Sequence, residues 1–293
     1  MRNYKFLLLL CMLFMCLTKS FSQTYIDSKR LFQMMEKAVN QADFPADELS
    51  KVYRSFHINR DKLKADIPIH HPQHNDLSGE EVFEQSYPRV YMFVQVYRNE
   101  KTNKRGVHGA GTTFPISSEG HFIVNYHMID SFGLGNSDSS KVHSEIKFMV
   151  ADHTGKLYFI DSVVTYSREA DLAIIKVDLK GDKIKPFALA DDPKTGSSAY
   201  VLSHPRDNYY YFTSGQVARM TDQSDKGIFS RRMEITAEYA AGSNGGPIIN
   251  GQGNLIGVVS LTKSIFYEPK TQKYLQMTIR ETVPSSVIKQ LLK

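Results

Sequence analysis

The sequence predicts a mostly β-stranded domain that follows an N-terminal helical extension. From position 90 onward, short apolar stretches are separated by turn residues about every ten positions, a spacing typical of antiparallel barrels and sandwiches. No long amphipathic helix interrupts this region, which argues against an enzyme built from βαβ units. Upstream of it the apolar residues recur instead at helical spacing, so we expect two differently built parts.

The first 22 residues have the pattern of a secretory signal peptide. Arg2 and Lys5 precede an apolar run over residues 6–17, and the small residues at 20–22 predict cleavage before Gln23. A membrane anchor is the alternative, but this run is much shorter than the roughly 20 apolar residues that span a bilayer. We therefore expect an exported protein, periplasmic or secreted, without a membrane anchor after cleavage.

The cysteine and charge content of the remaining chain follows from this segment. Cys11 and Cys16 are the two cysteines of the sequence, so the exported part would carry no disulfide and no cysteine metal ligand. Bulky Met15 directly before Cys16 argues against lipoprotein processing. Without the segment, 33 basic residues face 31 acidic ones, and the formal charge falls from +5 to +2. Such a balance gives no support for nucleic-acid binding.

Residues 23–77 are predicted to form a helical prefix and a linker. Apolar residues recur at helical spacing in two stretches, at Leu31, Met34, Met35 and Val39 and at Leu49, Val52 and Phe56. The linker at 67–76 contains prolines and three histidines, His70, His71 and His74. A metal site is one interpretation of these histidines, but no cysteine or well-placed carboxylate accompanies them. We favour a solvated loop and expect no metal.

The domain at 78–293 begins with a capping-box pattern at Ser78 and Glu81, which predicts a short helix through Gln85. Strands are then predicted around the apolar stretches at 90–96, 122–124, 146–150 and 158–164. Turn residues separate them at 99–104, 117–120, 152–155 and 191–196. A short helix around 287–292 is expected to end the chain.

Three separated segments carry residues with catalytic chemistry. They are Gly109-Ala110-Gly111-Thr112-Thr113-Phe114 with the following strand to Asn125-Tyr126-His127, then Asp171-Leu172-Ala173, and finally Gly242-Ser243-Asn244-Gly245-Gly246-Pro247. In this order and with these gaps, the chain resembles the bacterial trypsin-like serine peptidases related to the Deg-type proteases. The resemblance covers about residues 80–270, and each segment alone is a weak signal.

The resemblance implies an all-β fold of two six-stranded antiparallel barrels with an N-terminal helical extension. It implies a serine endopeptidase site that needs no cofactor and takes a peptide or protein in extended conformation. His127 would be the general base, Asp171 the residue that orients it, and the N–H groups of Gly242 and Asn244 the oxyanion hole. Only 33 residues follow Ser260, too few for a PDZ module, so we expect a member without one.

Read without the resemblance, each of these residues has a plainer explanation. His127 follows an apolar strand and could be a satisfied core histidine. Asp171 heads the apolar run 172–177, where a carboxylate needs a partner, yet it could simply cap a turn. The glycine-rich bend at 242–247 could be an ordinary hairpin turn.

One departure from the family pattern decides what chemistry is possible. Asn244 stands where the family has its nucleophilic serine, and Ser243 occupies the preceding position. An asparagine side chain has no ionisable hydroxyl and is no practical acyl-transfer nucleophile. Two hypotheses follow. Either the bend is shifted so that Ser243 attacks with His127 as base, or the domain is a pseudoprotease that binds peptides without cleaving them.

The resemblance implies two further substrate contacts. Residues 257–260, which end at Ser260, resemble the edge strand to which a substrate adds its backbone. Glu238 stands six residues before Asn244, where trypsin-like members keep an acid at the floor of the specificity pocket. A solvent-facing turn carboxylate is the alternative for Glu238, and it is the one we favour.

Overall fold

A computed structural model of the chain describes residues 23–44, 48–59, 64–99, 101–130, 147–222 and 224–292. The predicted signal peptide therefore lies outside the described residues. Within them the fold class is confirmed: twelve strands form two closed six-stranded antiparallel barrels, and helices precede them. In the described ranges, no helix is both long and apolar enough to cross a bilayer.

Two helices form the prefix, as the helical spacing predicts. Helix α1 is Ser28–Gln41 and helix α2 is Glu48–Ile58. Asp27 caps α1 by accepting a hydrogen bond from the Arg30 N–H. The buried face of α1 holds Leu31, Met35 and Val39, whereas Met34 is 43% exposed, so one of the four predicted contacts lies outside the core. The linker histidines His70, His71 and His74 are exposed, and no metal-binding cluster occurs among the described residues.

The capping box at Ser78 is confirmed. The Ser78 hydroxyl accepts from the Glu81 N–H, and the Glu81 carboxylate accepts from the Ser78 N–H. This pair starts helix α3, Gly79–Ser86.

The first barrel follows in the order β1-β2-β3-β6-β5-β4. Its strands are β1 Tyr91–Arg98, β2 Arg105–Pro115, β3 His121–Val124, β4 Lys147–Ala151, β5 Leu157–Ser167 and β6 Leu172–Val177. A single helical turn, α4 (Tyr126–Ile129), follows β3.

The second barrel has the order β10-β11-β12-β9-β8-β7. Its strands are β7 Ser198–Ser203, β8 Tyr211–Thr221, β9 Arg232–Ile235, β10 Pro247–Ile249, β11 Leu255–Glu268 and β12 Lys273–Pro284. The terminal helix α5, Ser285–Gln290, begins slightly earlier than predicted.

Strand β1 differs from its prediction in being buried on both faces. The predicted apolar positions, Val90 to Val96, are buried, but so are the intervening Tyr91 and Phe93. Tyr91 and Phe93 belong to one hydrophobic cluster with β3 and β6, while Met92 and Val94 belong to a second cluster that includes α1. The helical prefix thus covers the outside of the first barrel, which explains the loss of alternation.

Arg105, at the start of β2, fixes the end of α1 to this barrel. Its guanidinium donates to the carbonyl oxygens of Val39 (3.1 Å) and Ala42 (2.9 Å) and lies 4.0 Å from the centre of the Phe44 ring. Asn40 adds two hydrogen bonds, because its side chain donates to the Arg105 carbonyl and accepts from the Arg105 N–H. A cation at a helix C-terminus also interacts favourably with the helix dipole.

Candidate functional site

The three predicted segments meet at the junction of the two barrels. The His127 Nδ1 atom lies 3.0 Å from Oδ1 and 2.9 Å from Oδ2 of Asp171. On the other side of the ring, the side-chain nitrogen of Asn244 lies 3.1 Å from His127 Nε2. An imidazole, a carboxylate and an asparagine amide therefore form one hydrogen-bonded row.

Asn125 explains why His127 stands where it does, a role that sequence reasoning missed. Its side-chain amide donates to the Asp171 carbonyl (3.0 Å), and the Tyr126 N–H donates to the same oxygen (3.1 Å). These bonds hold helix α4 against the turn before β6. The position of Asn125, directly after a strand and two residues before the histidine, was the available signal.

The Asp171 carboxylate has three donors around it. The backbone N–H of His127 donates to Oδ1 (3.0 Å), in addition to the ring, and the Ser260 hydroxyl lies 3.4 Å from Oδ2. Asp171 itself has φ +55°, a left-handed conformation that aspartate tolerates better than most residues. Its side chain is 23% exposed, so these hydrogen bonds replace part of the lost hydration of the charge.

The hydrogen-bond directions fix the tautomer of His127. An amide nitrogen has no free lone pair, so Asn244 must donate and His127 Nε2 must accept. The ring proton then lies on Nδ1 and is donated to Asp171. Nε2 thus has the unprotonated form that a general base needs, but its neighbour is an amide instead of a hydroxyl.

The structure does not place Ser243, the candidate displaced nucleophile, beside His127. The Ser243 side chain is fully buried, and its hydroxyl accepts a hydrogen bond from the Ser203 hydroxyl (2.9 Å). The Ala240 N–H also points at it, at 3.4 Å. Successive side chains of a tight bend point in different directions, so Asn244 faces the histidine and Ser243 faces the second barrel.

The bend itself depends on glycines and on contact with β2. Gly245 has φ +77°, and a Cβ atom there would lie 2.3 Å from the Thr112 carbonyl oxygen. The Thr112 N–H donates to the Asn244 carbonyl oxygen (2.8 Å), and the Thr112 hydroxyl donates to the Gly242 carbonyl oxygen (3.2 Å). Gly111 lets β2 approach this closely, because a Cβ atom there would lie 3.0 Å from the Asn244 oxygen.

Two N–H groups of the bend stay available. The N–H groups of Ser243, Gly245 and Gly246 each donate to a backbone carbonyl. Those of Gly242 and Asn244, the predicted oxyanion hole, have no acceptor among the described residues. The bend can therefore offer two nearby donors to the carbonyl oxygen of a bound peptide.

A cleft of about 590 Å³ opens beside His127 and Asn244. Its walls are the Gly109–Gly111 part of β2 and the loop 204–209. In that loop, burial raises the pKa of Tyr209 to about 12, and Asp207 adds to the effect. Burial also lowers the pKa of His204 to about 3, so this histidine is neutral at physiological pH.

Neither of the two substrate contacts that the resemblance implies is placed as in the family, and for Glu238 this agrees with the solvent-facing alternative that we favour. Glu238 is not placed at a pocket floor, because its side chain is 73% exposed and forms an ion pair with Arg280 at 3.0 Å. Gly257 and Val258 are not at an edge either, since both pair with β10 as well as β12. Beyond Ser260, β11 pairs with β12 alone among the described strands, so the free edge begins there.

The chain has similarity to a family model and to known proteins. A family model described as trypsin-like peptidase domain matches residues 111–258. The chain is similar to Protease Do-like 5, chloroplastic, of Arabidopsis thaliana, with 28% identity over 53% of this chain and 49% of that protein. It is also similar to a probable periplasmic serine endoprotease DegP-like of Chlamydia pneumoniae, with 27% identity over 55% of this chain and 30% of that protein. The chain thus spans about half or less of these relatives.

Two solved structures share the fold. The HtrA-type protease AlgW with decapeptide matches with a TM-score of 0.54 and 19% identity, over 74% of this chain and 69% of that chain. Deg5 matches with a TM-score of 0.52 and 19% identity, over 72% of this chain and 93% of that chain.

Proposed function

The chain belongs to the family of trypsin-like peptidase domains, with Deg-type serine proteases among its homologues, and we propose that it is a non-hydrolysing member that binds extended polypeptide. We propose further that it is exported, with the signal peptide cleaved before Gln23. The DegP-like relative of Chlamydia pneumoniae is named as periplasmic, which agrees with export.

One observation carries the proposal: the nucleophile position holds an amide. Asn244 lies 3.1 Å from His127 Nε2, where acyl transfer requires a hydroxyl that can lose its proton to the ring. Ser243, which directly precedes Asn244 in the sequence, is buried, and its hydroxyl is hydrogen-bonded to that of Ser203. Catalytic geometry tolerates displacements of about 1 Å, and turning Ser243 toward the ring would require rebuilding the bend.

The parts that bind a peptide backbone are nevertheless present. The N–H groups of Gly242 and Asn244 can donate to a peptide carbonyl, and the edge of β11 beyond Ser260 can pair with an added strand. The cleft beside His127 gives the bound segment room to continue. A structural relative, AlgW, is itself described with a decapeptide.

The retained His127–Asp171 pair has a structural role in this proposal. The pair, the Asn244 amide and the Ser260 hydroxyl form one network that joins α4, the turn before β6, the bend and β11 across the two barrels. Because each side chain of the network forms a hydrogen bond with another, the network holds the peptide-binding surface in one arrangement.

The retained pair also favours a second candidate, an exported trypsin-like serine endopeptidase, because its distances are those of a working base and orienting residue. In that case Ser243 would have to replace Asn244 beside the ring when substrate binds.

A binding assay with an unfolded protein separates the two candidates. Fluorescein-labelled β-casein would be mixed with the purified chain, and both fluorescence anisotropy and the integrity of the casein on a gel would be followed. We expect the anisotropy to rise while the casein stays intact. Casein fragments that disappear when Ser243→Ala replaces the wild type would establish the endopeptidase and overturn the proposal.

Two variants at one position test whether binding uses this site. Asn244→Trp places a large side chain in the cleft and should weaken casein binding at least roughly tenfold, the loss expected when a central contact is blocked. Asn244→Ala keeps the cleft open and removes only the amide of the network, so it should weaken casein binding clearly less than Asn244→Trp does. Equal binding by both variants would place the peptide elsewhere.

A further inference from the structure

Beyond the site, β11 and β12 continue as a two-stranded hairpin, residues 261–279, which we call the arm. Its strands pair only with each other among the described strands, from Lys263 opposite Ile279 to Glu268 opposite Lys273. Strand β9 joins β12 only from Arg280 onward. Most arm residues are exposed, so the arm projects from the second barrel.

The arm carries exposed apolar residues at high density. Of the large apolar side chains that are exposed in the described chain, five lie in it: Leu261 (46%), Tyr267 (72%), Tyr274 (68%), Leu275 (57%) and Met277 (55%). Contiguous exposed apolar surface of this kind marks interaction sites in soluble proteins. A two-stranded hairpin is also only marginally stable in water, so a third strand would stabilise it.

The register gathers most of this apolar surface on one face. Ile265 lies opposite Met277, and Tyr267 lies two residues beyond Ile265 on the same side of the strand. Tyr274 lies opposite Tyr267 in the register, since the flanking pairs are Phe266 with Leu275 and Glu268 with Lys273. The opposite face near the base carries polar pairs instead, Thr262 with Arg280 and Ser264 with Thr278.

The arm is continuous with the candidate site, which indicates that the same bound polypeptide contacts both. Ser260, which contacts the Asp171 carboxylate, is directly followed by the first arm residue, Leu261. The unpaired edge of β11 therefore runs from the site outward along the arm, past a register shift at Ser260. A peptide that adds a strand at the site has the same edge available to it further out.

The charge of the arm also indicates which polypeptides it would bind. The arm contains Lys263, Lys270 and Lys273 but only one acidic residue, Glu268, in a chain whose charges otherwise nearly balance. Apolar residues in the bound strand would meet the face of Ile265, Tyr267, Tyr274 and Met277, and acidic residues would meet the lysines.

We propose that the arm extends the peptide-binding edge and selects extended polypeptide segments in which apolar residues alternate with polar or acidic ones. This inference rests on the proposed function, because it takes the bound chain to begin at the site. It assigns the arm to a bound client, not to a second copy of the chain.

The test uses the casein anisotropy assay with two sets of arm variants. Tyr267→Ser, Tyr274→Ser and Met277→Ser combined remove exposed apolar contacts, and we expect the dissociation constant to rise roughly tenfold or more. The matched control, Thr262→Ala, Ser264→Ala and Thr278→Ala combined, alters the other face of the same strands and should bind as the wild type does. Thermal unfolding would check that both variants stay folded.

The possible outcomes separate the two proposals. Unchanged casein binding by the apolar-face variant, together with weakened binding by Asn244→Trp, would refute the role of the arm and leave the site proposal standing. Equal losses in both arm variants would also refute it. A wild-type dimer in sedimentation velocity that the apolar-face variant converts to a monomer would instead assign the arm to a second copy. Casein cleavage overturns only the proposed lack of hydrolysis.

Discussion

The buried histidine beside the site makes the stability of the fold depend on pH in a predictable direction. His204 is 4% exposed, and its Nδ1 accepts a hydrogen bond from the Tyr210 N–H (3.0 Å). A backbone hydrogen bond with Tyr91 acts to raise the pKa of His204, but burial is the larger effect. Burial lowers its pKa to about 3, against an ordinary value of 6.5. Between these values the unfolded chain binds a proton that the folded chain does not, so stability falls as pH falls below 6.5.

The magnitude follows from the two pKa values. Lowering the pH from 7.5 to 5.5 should reduce the free energy of unfolding by about 1.4 kcal/mol through His204 alone. His204→Asn removes the titrating group and keeps a side-chain acceptor for the Tyr210 N–H. Urea titrations of both proteins at both pH values isolate the effect, because the other titrating groups are shared.

Between pH 7.5 and 5.5, the free energy of unfolding of the wild type should therefore fall by about 1.4 kcal/mol more than that of His204→Asn. This difference does not depend on how much the substitution destabilises the protein at any single pH. An equal loss in the two proteins would show that His204 protonates freely in the folded state. The loop 204–209 would then be open to water, and its description as a packed wall of the cleft would be wrong.

Two further stability predictions test how the site is held. Gly245→Ala should destabilise the fold by at least about 3 kcal/mol, because the φ of Gly245 is +77° and the new Cβ atom would lie 2.3 Å from the Thr112 carbonyl oxygen. The control is Gly251→Ala, since no atom lies near the Cβ position at Gly251. Arg105→Ala should lower the free energy of unfolding by about 2 kcal/mol, because it removes the hydrogen bonds that hold the end of α1. Limited proteolysis of this variant should then cleave the helical prefix first. Comparable urea midpoints for both glycine variants, or an unchanged proteolysis pattern for Arg105→Ala, would contradict these assignments.

The apolar pattern of the sequence predicts four strands of the first barrel, β1, β3, β4 and β5, because apolar spacing and turn residues depend on local sequence alone. The three site segments could also be located, since His127, Asp171 and the glycine-rich bend each follow or precede a recognisable strand. Helix α3 could be placed from its capping box alone, which needs only Ser78 and Glu81.

What the sequence could not show depends on contacts between distant segments. The choice between Ser243 and Asn244 is made by the bend, whose path is set by the packing of Gly245 against Thr112, more than 130 positions earlier in the chain. Glu238 is drawn to Arg280, 42 residues away. The arm was likewise not predicted, because alternation alone does not tell a barrel strand from one that projects beyond the barrel.

The hydroxyl-reactive fluorophosphonate probe tests most directly which side chain faces His127. Wild type, Ser243→Ala, Asn244→Ser and Asn244→Ser with His127→Ala would be treated with the probe, and its covalent attachment would be measured by intact mass. We predict no attachment to the wild type or Ser243→Ala, attachment to Asn244→Ser, and loss of that attachment when His127 is also replaced. Labelling of the wild type that is abolished by Ser243→Ala would contradict the account, because it would put the buried serine in the reactive position.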